Sequence, residues 1–427
     1  MTVFQGIGIL FTVVAICGFI NHRFIKMPDT LGMTAVGLAI SAVVTGLGVA
    51  HPEMTAGAKA LIQQIDFTDV VFHGLLSLLL FAGALHVDLT RLRQHRIAIF
   101  TLATIGVVIS TAVVGGGFYL LMAAIGMPVS LLVALLFGAL ISPTDPIAVL
   151  SVLKKANVTP SLESKIAGEA LFNDGTAVVA FMTILGLLAN GEALSTASVA
   201  SALAREVLGA FVLGGLVGYG ASLMLRHLDS YAVEIIITLA LATAGYSLAE
   251  YLHVSAPLAV VVMGLVIGNV GKAAMSESTR EHLFSFWELL DELLNLLLFA
   301  LIGLEVVALT VDWSQVWIGL LAVPVVLFAR FASVGIPFFA LQRFRKSSPN
   351  AVPIMTWGGL RGGISIALAL SLPMTVEGRD LIIGVTYVVV VFSLLVQATT
   401  LGRFIRFLGV REARTRGAPA TGAILEG

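Results

Sequence analysis

The chain has 427 residues, 58% of them hydrophobic and 11% charged, with a formal net charge of −1 and a mean hydropathy of +1.02. Soluble domains carry about 25% charged residues, so the composition excludes a soluble globular domain and marks an integral membrane protein. No nucleic-acid partner is expected, although the net charge of −1 by itself says nothing on this point, and the single cysteine, Cys17, excludes an internal disulfide and a cysteine-based metal site.

Apolar runs predict about thirteen membrane-spanning helices, near 3–20, 29–50, 67–87, 97–124, 128–153, 163–189, 197–225, 231–251, 255–271, 284–308, 314–341, 351–373 and 380–405. Residues 97–144 contain no Asp, Glu, Lys or Arg, which leaves room for two spans of about 20 residues each. The roughly 10-residue alternation of a membrane β-barrel is absent, so the expected fold class is an all-α polytopic bundle. The first span begins at Val3 with no basic leader or cleavage motif and reads as a retained helix. Residues 52–66 read as a short interfacial segment and 411–427 as a short cytoplasmic tail.

Basic residues orient the bundle. One set of alternating connections, with the tail, carries 19 of the 24 Lys and Arg residues; the other set carries only Lys59, Arg205 and Arg379. Cytoplasmic loops hold the excess of positive charge. The expected topology therefore has the N-terminus outside and the C-terminus in the cytoplasm.

Polar residues inside the apolar runs are the functional candidates, because a charge at the bilayer centre costs about 2.5–3.5 kcal/mol even on lenient scales. In the fifth span, Ser142-Pro143-Thr144-Asp145-Pro146 places an acid between two prolines. Proline removes a backbone donor and clashes with the preceding turn, so the helix is expected to unwind there and expose carbonyls and half-helix ends. The simpler alternative is a proline kink in which Asp145 caps the second half-helix.

The sixth span carries Gly168-Glu169-Ala170-Leu171-Phe172-Asn173-Asp174-Gly175. Glu169 and Asn173 share a face, and Asp174 is turned about 100° from Asn173. An unpaired carboxylate beside an unwound helix is suited to holding a cation or a proton, which favours Asp174. Glu169 reads as a structural ion-pair member, and Arg330, alone in the eleventh span, is its candidate partner. In the twelfth span Trp357-Gly358-Gly359-Leu360-Arg361-Gly362-Gly363 reads as a second interruption, with Arg361 neutralising facing carbonyl ends. Close helix packing is the alternative use of these glycines. Spans five and twelve are seven apart and run in opposite directions, as an inverted repeat with two crossed broken helices requires. Glu288, Asp291 and Glu292 near the start of the tenth span read as a solvated interfacial face, the alternative being that they attract cations at a cytoplasmic funnel. The eight histidines show no metal-ligand spacing.

With these residues the chain resembles the monovalent cation/proton antiporter family, in the branch of sodium/proton exchangers with an Asn-Asp pair. The resemblance covers nearly the whole chain. It rests on Leu79-Leu80-Phe81-Ala82-Gly83-Ala84-Leu85 with Asp88, the break at 142–146, residues 168–175, Ala249-Glu250 with Ser255, residues 299–305, Ala329-Arg330 and residues 358–363. It implies that Asp174 carries Na⁺ and H⁺ in turn, supported by Asn173, with Thr144 and Asp145 lining the site, Asp145 through water. It also implies a Glu169–Arg330 pair, no cofactor, no enzymatic activity, and a homodimer in a cell inner or plasma membrane. The moving core would comprise about 97–189 and 314–405, with dimerisation helices among the remainder of a single transporter domain. Two departures bear on the ion shell: many members have serine where this chain has Ala170, and many bacterial members have an acid near Ala82.

The activity expected is antiport of Na⁺ (or Li⁺) against H⁺ by alternating access, electroneutral at 1:1. The alternatives are K⁺/H⁺ antiport and a gated monovalent cation channel built on the same residues.

Overall fold

The computed structural model describes residues 3–50, 70–146, 149–150, 152–153, 160–190, 196–307, 312–342 and 350–408. The expected segments at 52–66 and 411–427 lie outside the described residues. Every regular element among the described residues is helical. In chain order they are α1 (Val3–Ile20), α2 (Asp29–Ala50), α3 (Ser77–Leu85, led by a π-helical stretch Val70–Leu76), α4 (Leu89–Ala124), α5 (Leu131–Leu140), α6 (Pro160–Asn190), α7 (Thr196–Leu225), α8 (Tyr231–Tyr251) and α9 (Ala256–Val266, extended by π-helical Ile267–Gly271). There follow α10 (Glu277–Glu305), α11 (Trp313–Gln342), α12 (Ala351–Trp357), α13 (Gly363–Leu370), α14 (Arg379–Phe392) and, after a π-helical Ser393–Gln397, α15 (Ala398–Phe407).

These elements make up the thirteen spans in the expected order. Eight helices among the described residues are long and apolar enough to cross a membrane singly. The other spans are split by a break, joined to π-helical turns, or, in α10, carry several acids. Two helices start earlier than hydropathy suggests. α4 includes Arg91, Arg93 and Arg96, and α10 begins seven residues before 284. Hydropathy marks only the part in hydrocarbon, whereas a capped helix continues into the polar zone. Asp88 caps α4 by accepting from the Thr90 N–H at 2.7 Å, which holds this exposed carboxyl below the usual carboxylate range. Ser276 caps α10 by accepting from the Thr279 N–H at 3.3 Å.

Buried side chains form two clusters. The larger joins α1–α6 and α9–α15, with Phe118, Phe137, Phe181 and Phe299 fully buried. The smaller joins α3 and α6–α10 around Trp287, Phe81 and Met263. Lipid supplies no hydrophobic drive between helices, so backbones approach at small residues. Gly37 of α2 and Gly303 of α10 show this: a Cβ on Gly37 would lie 2.9 Å from the Gly303 Cα.

The fifth and twelfth spans are interrupted as expected and cross at their breaks. α5 ends with the Ile141 N–H on the Phe137 carbonyl at 3.1 Å, and helical backbone resumes where the Leu150 N–H donates to the Pro146 carbonyl at 2.7 Å. Between α12 and α13 lie residues 358–362. The Asp145 N–H donates to the Leu360 carbonyl at 2.9 Å, so one extended segment hydrogen-bonds the other.

Candidate functional site

Each break leaves half-helix ends in the middle of the bundle. The C-terminal end of α5 presents carbonyls, and the N-terminal end of α13 presents N–H groups. The structure compensates both across the crossing. Arg361 Nη1 donates to the Ser142 carbonyl at 2.6 Å and to the Pro143 carbonyl at 3.1 Å, and the Arg361 backbone N–H donates to Ser393 Oγ at 2.9 Å. In the other direction, the Asp145 carboxylate lies against Gly362 at the opening of α13. A Cβ on Gly362 would stand 2.6 Å from Asp145 Oδ2, so only glycine admits this approach. Asp145 thus faces the start of α13, on the opposite interrupted span. The glycines serve both expected uses, since Gly359 also packs directly against Arg330.

α6 delivers three polar side chains to this crossing. Asn173 Nδ2 donates to Thr144 Oγ1 at 3.1 Å and to the Ser142 carbonyl at 3.4 Å. A carbonyl only accepts, which fixes the amide's orientation and turns Oδ1 away; that atom is buried with no hydrogen-bond partner. Asp174, 7% exposed, is the next residue, and its Oδ1 is likewise buried and without a partner. Buried polar atoms are ordinarily satisfied, so two adjacent residues with acceptor oxygens left over among the described residues set this point of α6 apart.

Glu169 lies a turn earlier, 1% exposed, and pairs with Arg330 through Nη1–Oε1 at 2.5 Å and Nη2–Oε2 at 3.0 Å. This fork-on-fork geometry is the strong form of a charged hydrogen bond. Arg330 Nε also donates to the Met355 carbonyl at 3.2 Å, so the guanidinium joins α6 and α11 to the end of α12. Its charge is matched, and Glu169 is thereby occupied.

A cavity of about 220 Å³ reaches the crossing. Its wall includes Thr144, Asp145, Asp174 and Gly362, together with Leu79, Leu80 and Gly83 of α3 and Leu298 of α10. Asn173, Glu169, Arg330 and Arg361 do not line it. The site residues therefore divide into a cavity group (Asp174, Thr144, Asp145) and a framing group behind it (Asn173, Arg361 and the Glu169–Arg330 pair). Ala82 and Ala170 are buried, and their neighbours Gly83 and Leu171 line the wall instead.

Sequence reasoning assigned no role to the Ser142 and Ser110 hydroxyls, to Ser393 or to Asn295. Ser142 Oγ donates to the Gly138 carbonyl at 2.7 Å and shares a hydrogen bond with Ser110 Oγ at 2.9 Å, tying the break to α4. Ser393 receives the Arg361 N–H. Asp291 and Asn295 belong to the cavity wall, which corrects the reading of the α10 acids as one solvated face: Glu288 and Glu292 are exposed, but Asp291 is half-buried. An i, i+3, i+4 sorting of these acids against the apolar residues of α10 would have separated them.

The family model described as "Sodium/hydrogen exchanger, transmembrane" matches residues 9–407. The chain belongs to the sodium/hydrogen exchanger family. Within it, the chain is 48% identical over 394 residues to the Na⁺/H⁺ antiporter NhaP of Pseudomonas aeruginosa, covering 91% of this chain and 93% of that one. It is 34% identical over 411 residues to the Na⁺/H⁺ antiporter NhaH of Halobacillus aidingensis, covering 95% and 96%. The fold is that of the sodium proton antiporter MjNhaP1 of Methanocaldococcus jannaschii, with a TM-score of 0.74 at 21% identity over 96% of this chain and 100% of that one. It is a multi-pass membrane protein of the exchanger family.

Proposed function

We propose that this exchanger moves Na⁺ against H⁺ by alternating access, with Asp174 as the carboxylate that holds either ion. The observation that carries this reading is the buried Asp174 carboxylate at the cavity wall with one oxygen lacking any donor. Oxygen donors of this kind suit hard monovalent cations. Burial favours the neutral acid and a bound cation favours the carboxylate, so one site holds one ion or the other and exchange follows without a separate gate. Asp174 and Thr144 ligate Na⁺ directly, and Asp145 acts through water. Asn173, Arg361 and the Glu169–Arg330 pair hold the frame. Na⁺ is favoured over K⁺ by the names of relatives such as those above, and Li⁺ is the natural second substrate.

With Glu169 occupied by Arg330, Asn173 unable to ionise and Asp145 set against the start of α13, Asp174 is the carboxylate assigned to the exchange. The proposed stoichiometry is accordingly one Na⁺ for one H⁺, with no net charge moved. The helices at about 97–189 and 314–405 form the moving core, and the remainder includes the dimerisation surface of a homodimer. The N-terminus lies outside and the C-terminus in the cytoplasm of an inner or plasma membrane. The deciding experiment is pH-change transport in proteoliposomes with Na⁺, Li⁺, K⁺ and Rb⁺ compared. Proton movement driven by Na⁺ and Li⁺ but not by K⁺ or Rb⁺ supports the reading. Equal responses to K⁺ favour K⁺/H⁺ antiport, and cation current persisting without a proton gradient indicates a channel.

A further inference from the structure

Between α12 and α13 the chain leaves the helical ladder, and inside a bundle each backbone group freed there needs a partner. Three are satisfied locally: the Gly358 N–H by the Ile354 carbonyl at 2.8 Å, the Gly359 N–H by the Thr356 carbonyl at 3.3 Å and the Leu360 N–H by the Gly358 carbonyl at 2.8 Å. The two ends of the break are satisfied by the thirteenth span instead. The Arg361 N–H donates to Ser393 Oγ at 2.9 Å, and the carbonyl of Trp357, the last residue of α12, accepts from Gln397 Nε2 at 3.2 Å. Thr400 Oγ1 adds a third contact by accepting from Trp357 Nε1 at 3.1 Å.

Ser393 and Gln397 are buried and bound the π-helical turn between α14 and α15, where the Ala398 N–H reaches back five residues to the Ser393 carbonyl. Such turns are rare and recur at functional positions. Thr386 and Thr399, on the same span, return their hydroxyls to carbonyls of their own helix, whereas Ser393 and Gln397 cross to the twelfth span. Neither lines the cavity, but the segment they hold does reach the ion site. The Leu360 carbonyl, between the two pinned ends, accepts from the Asp145 N–H at 2.9 Å, and Gly362 stands against the Asp145 carboxylate. Arg361 Nη1 takes the Ser142 carbonyl at 2.6 Å, the same carbonyl that receives Asn173 Nδ2 at 3.4 Å. The break is therefore suspended between two spans, fixed at its ends to the thirteenth and bonded in its middle to the residues that flank Thr144.

We propose that Ser393 and Gln397 are positioning residues for ion exchange, acting through Leu360 and Arg361 to set where Asp145 and the Ser142 carbonyl stand at the ion site. A binding constellation works only when the groups that support it are themselves locked in place. Loss of either contact frees one end of the segment, so ion capture weakens in a protein that still folds. This role rests on the exchange site proposed above, whose wall the segment positions. A pair of hydrogen bonds that served stability alone would change the amount of folded protein and leave the ion affinity of the folded fraction as it was.

The test uses the full chain in proteoliposomes, with half-saturating Na⁺ concentration and maximal rate read across pH and folding checked by melting temperature. Ser393→Ala and Gln397→Met each remove one of the two hydrogen bonds with little change of shape. Each is expected to raise the half-saturating Na⁺ concentration roughly tenfold, short of the hundredfold that a full ångström of misplacement costs. The maximal rate of the folded protein stays within about twofold of wild type. Gln397→Glu tests the donor itself, since an acid donates to the Trp357 carbonyl only while protonated. Its half-saturating concentration, taken as a ratio to wild type at the same pH, approaches one in acid and grows as pH rises; folded in acid, this variant also carries the test if Gln397→Met does not assemble. Ser393→Ala combined with Arg361→Lys raises the value by clearly less than the product of the single effects, because both act through one segment. Thr399→Val, whose hydroxyl serves its own helix, keeps wild-type values. Wild-type half-saturation in Ser393→Ala and Gln397→Met, a loss of folded yield or maximal rate alone, a Gln397→Glu ratio independent of pH, or strict multiplication of the Ser393 and Arg361 effects overturns the proposal. Asp174→Asn in the same preparation keeps the two readings apart. Exchange that survives in Asp174→Asn defeats the exchange site, whereas its loss there beside wild-type half-saturation in the Ser393 and Gln397 variants defeats the positioning role alone.

Discussion

Arg361 on one interrupted span donates to the Ser142 carbonyl on the other at 2.6 Å, and its Nε and Nη2 have no partner among the described residues. A fully buried guanidinium is thus committed to the carbonyl end of α5.

The first expectation concerns that commitment. Hydrogen bonds from charged donors contribute about 1.5–3 kcal/mol each, and leaving buried carbonyls unmatched adds to the loss. Arg361→Leu should lower thermal stability in detergent by at least one such increment and abolish exchange. Arg361→Lys keeps the charge and one donor but loses the planar fork, so it should fall between the two. A Leu variant with wild-type melting temperature and transport would show that the carbonyl end needs no compensation.

A second expectation concerns Glu169 and Arg330. Removing one member of a buried pair strands the other and costs about 3–5 kcal/mol, whereas replacing both together is far milder. Glu169→Ala and Arg330→Ala should each reduce stability and activity, and the double variant should lose clearly less than the sum. Strict additivity in the double-mutant cycle would mean that the pair carries no coupling energy.

The third follows from the orientation of Asn173. Its Nδ2 faces the Ser142 carbonyl and Thr144 Oγ1, so an aspartate there is tolerated only while it is protonated and able to donate. Asn173→Asp should be near wild-type stability in acid and progressively less stable as pH rises and the new carboxylate ionises against the carbonyl. A melting-temperature series across pH reads this directly. A variant that becomes more stable with rising pH would contradict the assigned amide geometry.

The overall plan was legible in the sequence because it rests on features that hydropathy records. Apolar length gave the spans, the basic loops gave the expected topology, and Pro143, Pro146 and the four glycines around Arg361 marked the breaks. Pairing Glu169 with Arg330 followed from the expense of isolated charge in hydrocarbon. What stayed hidden depended on three-dimensional crossing. Nothing in the string 142–146 says that Asp145 faces Gly362 on a span more than two hundred residues later, or that Ser393 receives the Arg361 N–H. Serines and threonines such as Ser110 carry no hydropathy signal strong enough to separate a break-stabilising hydroxyl from one bonded to its own helix. On α10, three acids within five residues looked alike, yet only Asp291 is turned into the cavity.

A fourth expectation concerns charge movement. One carboxylate that alternates between one Na⁺ and one H⁺ transfers no net charge. Proteoliposome exchange should run at the same rate with the interior clamped positive, negative or at zero potential, provided protons are not otherwise limiting. Acceleration by one polarity would bring Asp145 in as a second titrating group.

The central claim is that Asp174 itself is the shared ion and proton site, and transport by Asp174→Asn in proteoliposomes tests it most directly. Wild type should show Na⁺-driven proton movement whose half-saturating Na⁺ concentration rises as pH falls, by up to about tenfold per pH unit, because protons compete for the one carboxylate. Asp174→Asn should fold and melt as a single species and show no Na⁺-driven proton movement at any pH. Exchange close to the wild-type rate in that well-folded variant would contradict the account.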